Sequence, residues 1–407
     1  MLTSLALIFL VGLSMGAVCR RMRLPRIIGM LITGIVLGPY VLEMLDPSIL
    51  GISSELRQIA LIIILLKAGL SLDISDLKKV GRPAVMMAFV PACFEILGYV
   101  IFAPAFFGIT RIEAAVMGAV LAAVSPAVVV PRMIKLIEEK YGTAKSIPQL
   151  ILAGASCDDI FVVVLFSAFA AMAQGGRVDA AVFMDIPLSI VSGLLLGACA
   201  GIFLAALFES AYSHDRLIRN SMKVIIILGT AFLLMSVEIW MKDFMAVSGL
   251  LAVVSMACML KIKSIPRVAG RLSEKFGKLW LAAEVMLFVL VGAAVDIRYT
   301  FSAGIAAAAL ILSALLFRAV GVMVCLIGTS LDFRERMFCV IAYLPKATVQ
   351  AAMGAVPLSM GMPCGKLILS VAVVAILLTA PIGALGIDRS YKKLLAGERL
   401  KGAEGNI

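Results

Sequence analysis

The stretch Leu150–Met172, LILAGASCDDIFVVVLFSAFAAM, sets Asp158 and Asp159 side by side in a run that is otherwise soluble in lipid. A helix needs about 20 apolar residues to cross a ~30 Å hydrocarbon core, and this run meets that length. An ionisable group at the bilayer centre costs roughly 2.5–3.5 kcal/mol on insertion scales. Asp158 lies ten residues past Pro148, so about 15 Å along a helix rising 1.5 Å per residue, close to the midplane. Neighbouring helical residues point about 100° apart, so one cation does not easily neutralise both acids. Like charges this close lose their protons as a coupled pair, and burial favours the protonated form of a carboxyl. That is the chemistry of a site where a proton and a hard cation such as Na⁺ compete for carboxylate oxygens.

The surroundings of the pair agree with a membrane setting. The chain has 407 residues, 62% hydrophobic and 15% charged. A soluble domain is nearer half apolar and a quarter charged. The sequence therefore predicts an all-α polytopic membrane protein, with membrane lipids as the partner of its apolar faces. The net charge of +11 reads as the lysine and arginine of cytoplasmic loops. No basic domain is present to bind nucleic acid. The eight cysteines (19, 93, 157, 199, 258, 325, 339 and 364) contain no C-x-x-C pair, so neither a disulfide framework nor a zinc site is implied. They read as packing residues, and His214 as a solvated loop residue. No cofactor is implied.

Thirteen apolar segments are candidate spans: 2–18, 27–42, 56–72, 83–107, 112–131, 147–173, 186–207, 223–240, 245–262, 277–295, 301–328, 337–359 and 366–386. The loops after the odd-numbered spans, with their flanks and the tail, carry two to six Lys or Arg each. The intervening loops carry one each: Arg57, Arg111, Arg177, Lys242, Arg298 and Lys366. Positive loops stay in the cytoplasm, which predicts an outside N-terminus and an inside C-terminus. The N-terminal run has its arginines (20, 21, 23 and 26) after the apolar residues, the reverse of a signal peptide.

The cations left inside spans are Lys67, Arg318 and Lys346; the anions are Glu95, Asp158, Asp159 and Glu284. Intramembrane charges face the bundle interior, pair, or line an ion path. Glu95 and Arg318 are deep and opposite in sign, and an ion pair locking two helices accounts for them. Glu284 lies nearer the cytoplasmic end of its span, where snorkelling and local pairing are both open. Lys67 either pairs with a core carboxylate or staples the scaffold. Span 5 carries Ser125, Pro126 and Pro131, and span 12 carries Pro345, Gly354 and Pro357. Proline removes a donor and breaks the turn, so both spans read as discontinuous. They stand seven apart, an odd offset, so spans 4–5–6 map onto 11–12–13 as an inverted repeat. Interrupted helices at matching places in two halves point to a transporter's midplane site. Lys346, beside the second break, is placed to neutralise carbonyl ends where the two broken helices cross.

VSPAVVVP (Val124–Pro131), the Asp158–Asp159 pair and LPKATVQAA (Leu344–Ala352) resemble the cation:proton antiporter superfamily, most nearly the NHA-type sodium/hydrogen antiporters that include the animal solute-carrier 9B proteins. The resemblance runs from LLKAGLSLD (Leu65–Asp73) to the last span. It implies a homodimer with a scaffold (1–82 and 186–295), an ion-translocating core (83–173 and 301–386) that moves as an elevator, and a cytoplasmic tail (387–407). By position, Asp158 and Asp159 become the transient Na⁺ and proton carriers, with Ser125, Ser156 and Thr348 as auxiliary ligands. Glu95 and Arg318 become the buried ion pair, and Lys346 the motif lysine. Two departures stand out. Ser125 sits at a crossover where relatives often have Thr-Asp, and span 10 offers Glu284 where many electrogenic relatives have a lysine. The second departure puts two-proton stoichiometry in doubt and points to electroneutral exchange. Animal members carry a long N-terminal extension; this chain starts at its first span, which implies a bacterial plasma membrane.

The expected activity is exchange of Na⁺ or Li⁺ for H⁺, by a transporter rather than an enzyme. The alternative is a potassium/proton antiporter or cation channel, whose relatives often add nucleotide-binding domains larger than the tail here. An intramembrane aspartyl protease needs two aspartates on facing helices sharing a proton, which adjacent residues on one helix do not supply.

Overall fold

The structure is a computed structural model. It describes residues 1–22, 24–71, 81–174, 180–213, 219–241, 244–245 and 247–397, with backbone alone at 71, 156–157, 180–187, 190, 210–213, 266 and 297–303. His214, Asp73 and the side chains of Ser156 and Cys157 lie outside the described part.

Among the described residues there are helices and no strands. The chain begins with α1 (Leu2–Arg21), α2 (Arg26–Leu37), α3 (Pro47–Gly51) and α4 (Ser53–Ser71). Next come α5 (Arg82–Met87), α6 (Val90–Phe107), α7 (Arg111–Leu121), α8 (Pro126–Glu138) and α9 (Ile147–Gln174). The middle of the chain forms α10 (Ala180–Ser213), α11 (Asn220–Met241), α12 (Gly249–Lys263) and α13 (Pro266–Ala293). The last stretch forms α14 (Ile297–Cys325), α15 (Phe333–Ala342), α16 (Thr348–Gly354), α17 (Val356–Ser359) and α18 (Gly365–Leu394). Among the described residues, nine helical stretches are long and apolar enough to cross a membrane, so this is a polytopic membrane protein.

The helices pack in two sets. α1, α2, α4 and α13 lie together, and α12 joins α4 to α10 and α11. The second set is built from α6, α7, α9, α14, α16 and α18, with α8 and α15 against α9 and α18. The sets meet where α9 and α16 approach α4, α12 and α13. Lipid gives no hydrophobic drive between spans, so close packing relies on small residues. On α10, Gly193, Gly197 and Gly201 face the carbonyls of Ser248, Ala252 and Met256, in the same order and at the same four-residue interval. The two helices therefore run parallel, with backbones in contact. A Cβ at Gly197 would collide with the Ala252 carbonyl. Gly197→Leu is expected to push α10 off α12 and cost about 1–3 kcal/mol or more, read as a lowered melting temperature of the purified protein in detergent.

The second set is symmetric in its details. α7 opens with a capping box: the Glu113 N–H donates to Thr110 Oγ1 at 3.2 Å and the Thr110 N–H to Glu113 Oε2 at 2.9 Å. α15 opens with the same device, Asp332 and Glu335 exchanging bonds of 2.8 Å each. α7 then runs 11 residues and α15 10 before the helix breaks. α6 and α14 pack by reciprocal small residues, Gly98 on Ala314 and Gly321 on Pro91.

Three local details differ from the sequence reading. The span from 83 to 107 is itself broken at Ala88–Phe89, because Pro91 has no N–H to carry the α5 hydrogen-bond ladder into α6. Pro131 lies inside α8 without ending it, so the break in span 5 belongs to residues 122–125 alone. Arg57 is not a loop cation. It is buried in α4, donating to the Leu290 carbonyl (3.4 Å) near the C-terminus of α13, where a helix end carries partial negative charge.

Candidate ion-binding site

The two interrupted helices cross at residues 122–125 and 343–347, where the chain leaves helical geometry. Freed backbone at membrane depth needs partners from protein or water, and here side chains supply most of them. The Ser125 N–H donates to the Pro345 carbonyl at 2.8 Å, stitching one break to the other. Gln350 Nε2 donates to the Leu121 and Ala123 carbonyls at 3.1 and 2.7 Å, while its Oε1 accepts from the Ala347 N–H at 2.8 Å. The Lys346 N–H donates to Thr379 Oγ1 at 2.9 Å. Arg318 Nε donates to the Tyr343 carbonyl at 2.7 Å, and Arg318 Nη1 also reaches the Ala122 carbonyl. Lys346 Nζ shares that carbonyl at 3.2 Å, the neutralising position that the break in span 12 suggested.

Four of the seven charges that the sequence singled out converge on this crossing. Glu95 Oε2 from α6 lies 2.7 Å from Arg318 Nη1 and 2.6 Å from Lys346 Nζ. Arg318 Nη2 turns the other way and pairs with Asp158 Oδ2 at 3.1 Å. The same oxygen accepts from the Val124 N–H at 2.7 Å. All four side chains are buried. The sequence reading assigned Arg318 to Glu95 alone; the guanidinium fork serves both acids, as its planar, multi-donor geometry allows. Glu95, Asp158, Arg318 and Lys346 thus form a network of two anions and two cations.

Asp159 stands apart from it. Its side chain is 6% exposed, and it has neither ion pair nor hydrogen bond among the described residues; Oδ1 is buried and orphaned. Nearby elements hold further buried oxygens without partners: Asp158 Oδ1, Ser125 Oγ at the first break, Tyr343 Oη at the second, Thr348 Oγ1 at the start of α16 and Glu95 Oε1. Buried polar atoms are nearly always satisfied, so orphaned oxygens gathered from α9 and from both breaks ask for a ligand. Carboxylate and hydroxyl oxygens suit a hard cation. Among the described residues no group of three His, Cys, Asp or Glu forms a metal cluster.

A cavity of about 530 Å³ reaches Asp159 and Thr348. Its walls come from both sets: Ile27, Ile64, Lys67, Trp280 and Glu284 on one side, Val128, Arg132 and Leu152 on the other. Pro25 and Arg26, where the arginine-rich connection after α1 enters α2, and Gly277 of α13 also line it. Glu284 is 1% exposed and pairs with Arg26 at 3.0 Å, not aligned for a hydrogen bond. Of the two expectations, snorkelling is excluded by its burial and local pairing is found, with α2 bringing the arginine. Lys67 Nζ lies 5.8 Å from the centre of the Trp280 ring and makes no ion pair among the described residues. Gln350, Thr379 and Arg132 were not singled out by sequence; a glutamine in an otherwise apolar helix was the one available signal.

Crossed, interrupted helices in an inverted arrangement, with a buried acid at the end of a cavity, are the architecture of secondary transporters. The chain belongs to the transmembrane sodium/hydrogen exchanger family, whose sequence profile matches residues 5–390. It is 32% identical over 377 residues to sodium/hydrogen exchanger 9B2 of Mus musculus, covering 89% of this chain and 67% of that protein. It is 31% identical over 377 residues to sodium/hydrogen exchanger 9B1 of Homo sapiens, covering 89% of this chain and 71% of that protein. Its fold is similar to the structure of the sodium proton antiporter MjNhaP1 from Methanocaldococcus jannaschii at pH 8, with a TM-score of 0.81 and 21% identity over 97% of this chain and 98% of that one. The resemblance to NHA-type, solute-carrier 9B antiporters read from the motifs is thereby shown.

Proposed function

We propose that the protein exchanges Na⁺, or Li⁺, for H⁺ by alternating access, with cation and proton competing for Asp159. One observation carries this reading. The four-charge network of Glu95, Asp158, Arg318 and Lys346 balances itself, and Asp159 is the acid left over. Moving an uncompensated charge through a low-dielectric barrier is very costly. A core with Asp159 empty and ionised therefore stays put. Either one proton or one monovalent cation on Asp159 makes it neutral and mobile. Ser125, Thr348 and Asp158 Oδ1 supply further oxygens to the cation when it is bound.

The same balance favours electroneutral exchange. The partner of Asp158 is an arginine, which does not give up its proton in proteins, so that pair supplies no second proton. We assign α5–α9 and α14–α18 to the moving core and α1–α4 and α10–α13 to the scaffold, in a homodimer with thirteen spans. With the positive loops in the cytoplasm, the cavity opens inward. A plasma membrane is the setting. Potassium exchange is the alternative, and it would require the oxygens around Asp159 to fit the larger ion.

The test is transport in proteoliposomes under an imposed pH gradient, with Na⁺, Li⁺ and K⁺ added in turn. Dequenching by Na⁺ or Li⁺, insensitive to a membrane voltage clamped with valinomycin and K⁺, is the expected result. Rates that follow the voltage would overturn the stoichiometry, and dequenching by K⁺ alone would favour the alternative.

A further inference from the structure

The cavity that leads to Asp159 is lined by three cations and, besides Asp159, a single other acid. Arg26 on α2 is matched by Glu284 on α13 at 3.0 Å. Lys67 on α4 lies 5.8 Å from the centre of the Trp280 ring and makes no ion pair among the described residues, though it shares the field of the same Glu284. Arg132 on α8 would be a third positive charge on the route of a positive substrate, and it is matched from outside the cavity wall. Its Nε and Nη2 donate to Asp388 Oδ1 and Oδ2 of α18, both at 3.1 Å, and its Nη1 donates to the Val128 carbonyl at 2.9 Å. Every guanidinium nitrogen is engaged, and the fork-to-fork geometry is the strong form of this pair.

Holding α18 in place does not depend on that pair. Tyr391, one turn further along α18, donates to Glu139 Oε2 at 3.0 Å and stacks edge-on against Tyr141 with ring centres 5.0 Å apart. The Gly142 N–H donates to the Ala396 carbonyl at 2.9 Å. The end of α18 is thus anchored to the connection after α8 by contacts that leave Arg132 out. What Asp388 adds is charge. A concave site with low-dielectric walls focuses the field of its lining groups and changes the local concentration of ions.

We propose that Asp388 determines cation affinity: by pairing with Arg132 in the wall of the cavity, it cancels a charge that would otherwise repel Na⁺ on its way to Asp159. The inference rests on the exchange reading above and extends it to a residue of α18 that touches neither the substrate nor the four-charge network. Free Arg132 would leave the cavity with three cations, Arg26, Lys67 and Arg132, against the single acid Glu284 on the way to Asp159, and the approach would become more repulsive.

The experiment measures half-saturating Na⁺ and maximal rate in proteoliposomes for the wild type, Asp388→Asn, Arg132→Gln and the double variant. Asp388→Asn is expected to raise half-saturating Na⁺ by about 3- to 10-fold with the maximal rate kept. That penalty should shrink as ionic strength is raised with N-methylglucamine chloride, because the charges are partly solvated. Arg132→Gln should leave half-saturation at or below the wild-type value, and the double variant should return it to wild type. Unchanged half-saturation in Asp388→Asn, or a loss of rate and melting temperature shared by both single variants, would overturn the inference and leave a mere clamp. Should Asp388→Asn not be recovered folded, Arg132→Gln decides, since a raised half-saturation there contradicts the charge argument. A wild type that exchanges normally beside an unaltered Asp388→Asn removes this inference alone, whereas a wild type without exchange removes the functional reading as well.

Discussion

Asp159→Asn is expected to abolish exchange, lowering the rate by at least about 100-fold, while the protein remains folded. Asparagine has the shape of aspartate and keeps one oxygen, but it is neutral at every pH of interest. In the proposed cycle the core of Asp159→Asn is permanently balanced, because the network of Glu95, Asp158, Arg318 and Lys346 already sums to zero. Such a core moves empty and carries nothing. Stability should be held or raised, since the change removes a buried acid that has no ion pair or hydrogen bond among the described residues. Asp158→Asn should behave differently. It deletes a charged acceptor for Arg318 and the Val124 N–H, and bonds of that kind contribute about 1.5–3 kcal/mol each. Proteoliposome transport and thermal unfolding in detergent, run on both variants, separate the two adjacent acids: one loses transport at full stability, the other loses stability first.

The largest loss of stability is expected from Glu95→Gln. Glu95 Oε2 accepts from Arg318 at 2.7 Å and from Lys346 at 2.6 Å, in a site where all three side chains are essentially inaccessible. Breaking a buried pair by removing one partner costs about 3–5 kcal/mol, because a charge is left unmatched. Here two cations would face Asp158 alone, and both also hold the Ala122 carbonyl at the first helix break. The break itself should loosen. Glu95→Gln combined with Lys346→Met restores the count of charges, so the double variant should melt above Glu95→Gln alone. A melting temperature for Glu95→Gln equal to wild type would mean that these groups are not a coupled unit.

Much of this was legible because lipid is an unforgiving solvent. Asp158 and Asp159 stood out because little else in their span is polar. The prolines at 126 and 345 marked the interruptions because a missing donor cannot be hidden at that depth. The rotation of each side chain about its helix was not legible. Whether Arg318 reaches Glu95, Asp158 or both depends on how α14 crosses α6 and α9, which no periodicity encodes. For the same reason the two aspartates read as an equivalent pair, whereas the 100° between them sends one into the network and the other to the cavity. Gln350 was silent because it is neutral, although it satisfies carbonyls at one break and an amide at the other. Pro131 sounded a false alarm, since a helix tolerates one missing bond when the surrounding ladder persists. Arg132 and Asp388 looked like ordinary loop and tail charges; their meeting depends on the return of α18 across α8.

Everything above turns on a proton and an alkali cation excluding each other at one carboxyl. The direct measurement is proton release when Na⁺ is added to the purified protein in weakly buffered detergent solution, followed with a pH dye. Protons should appear in step with Na⁺ bound, the release should vanish once the pH is high enough to empty the site beforehand, and Asp159→Asn should release none. Na⁺ binding without protons, or the same release from Asp159→Asn, would contradict the account.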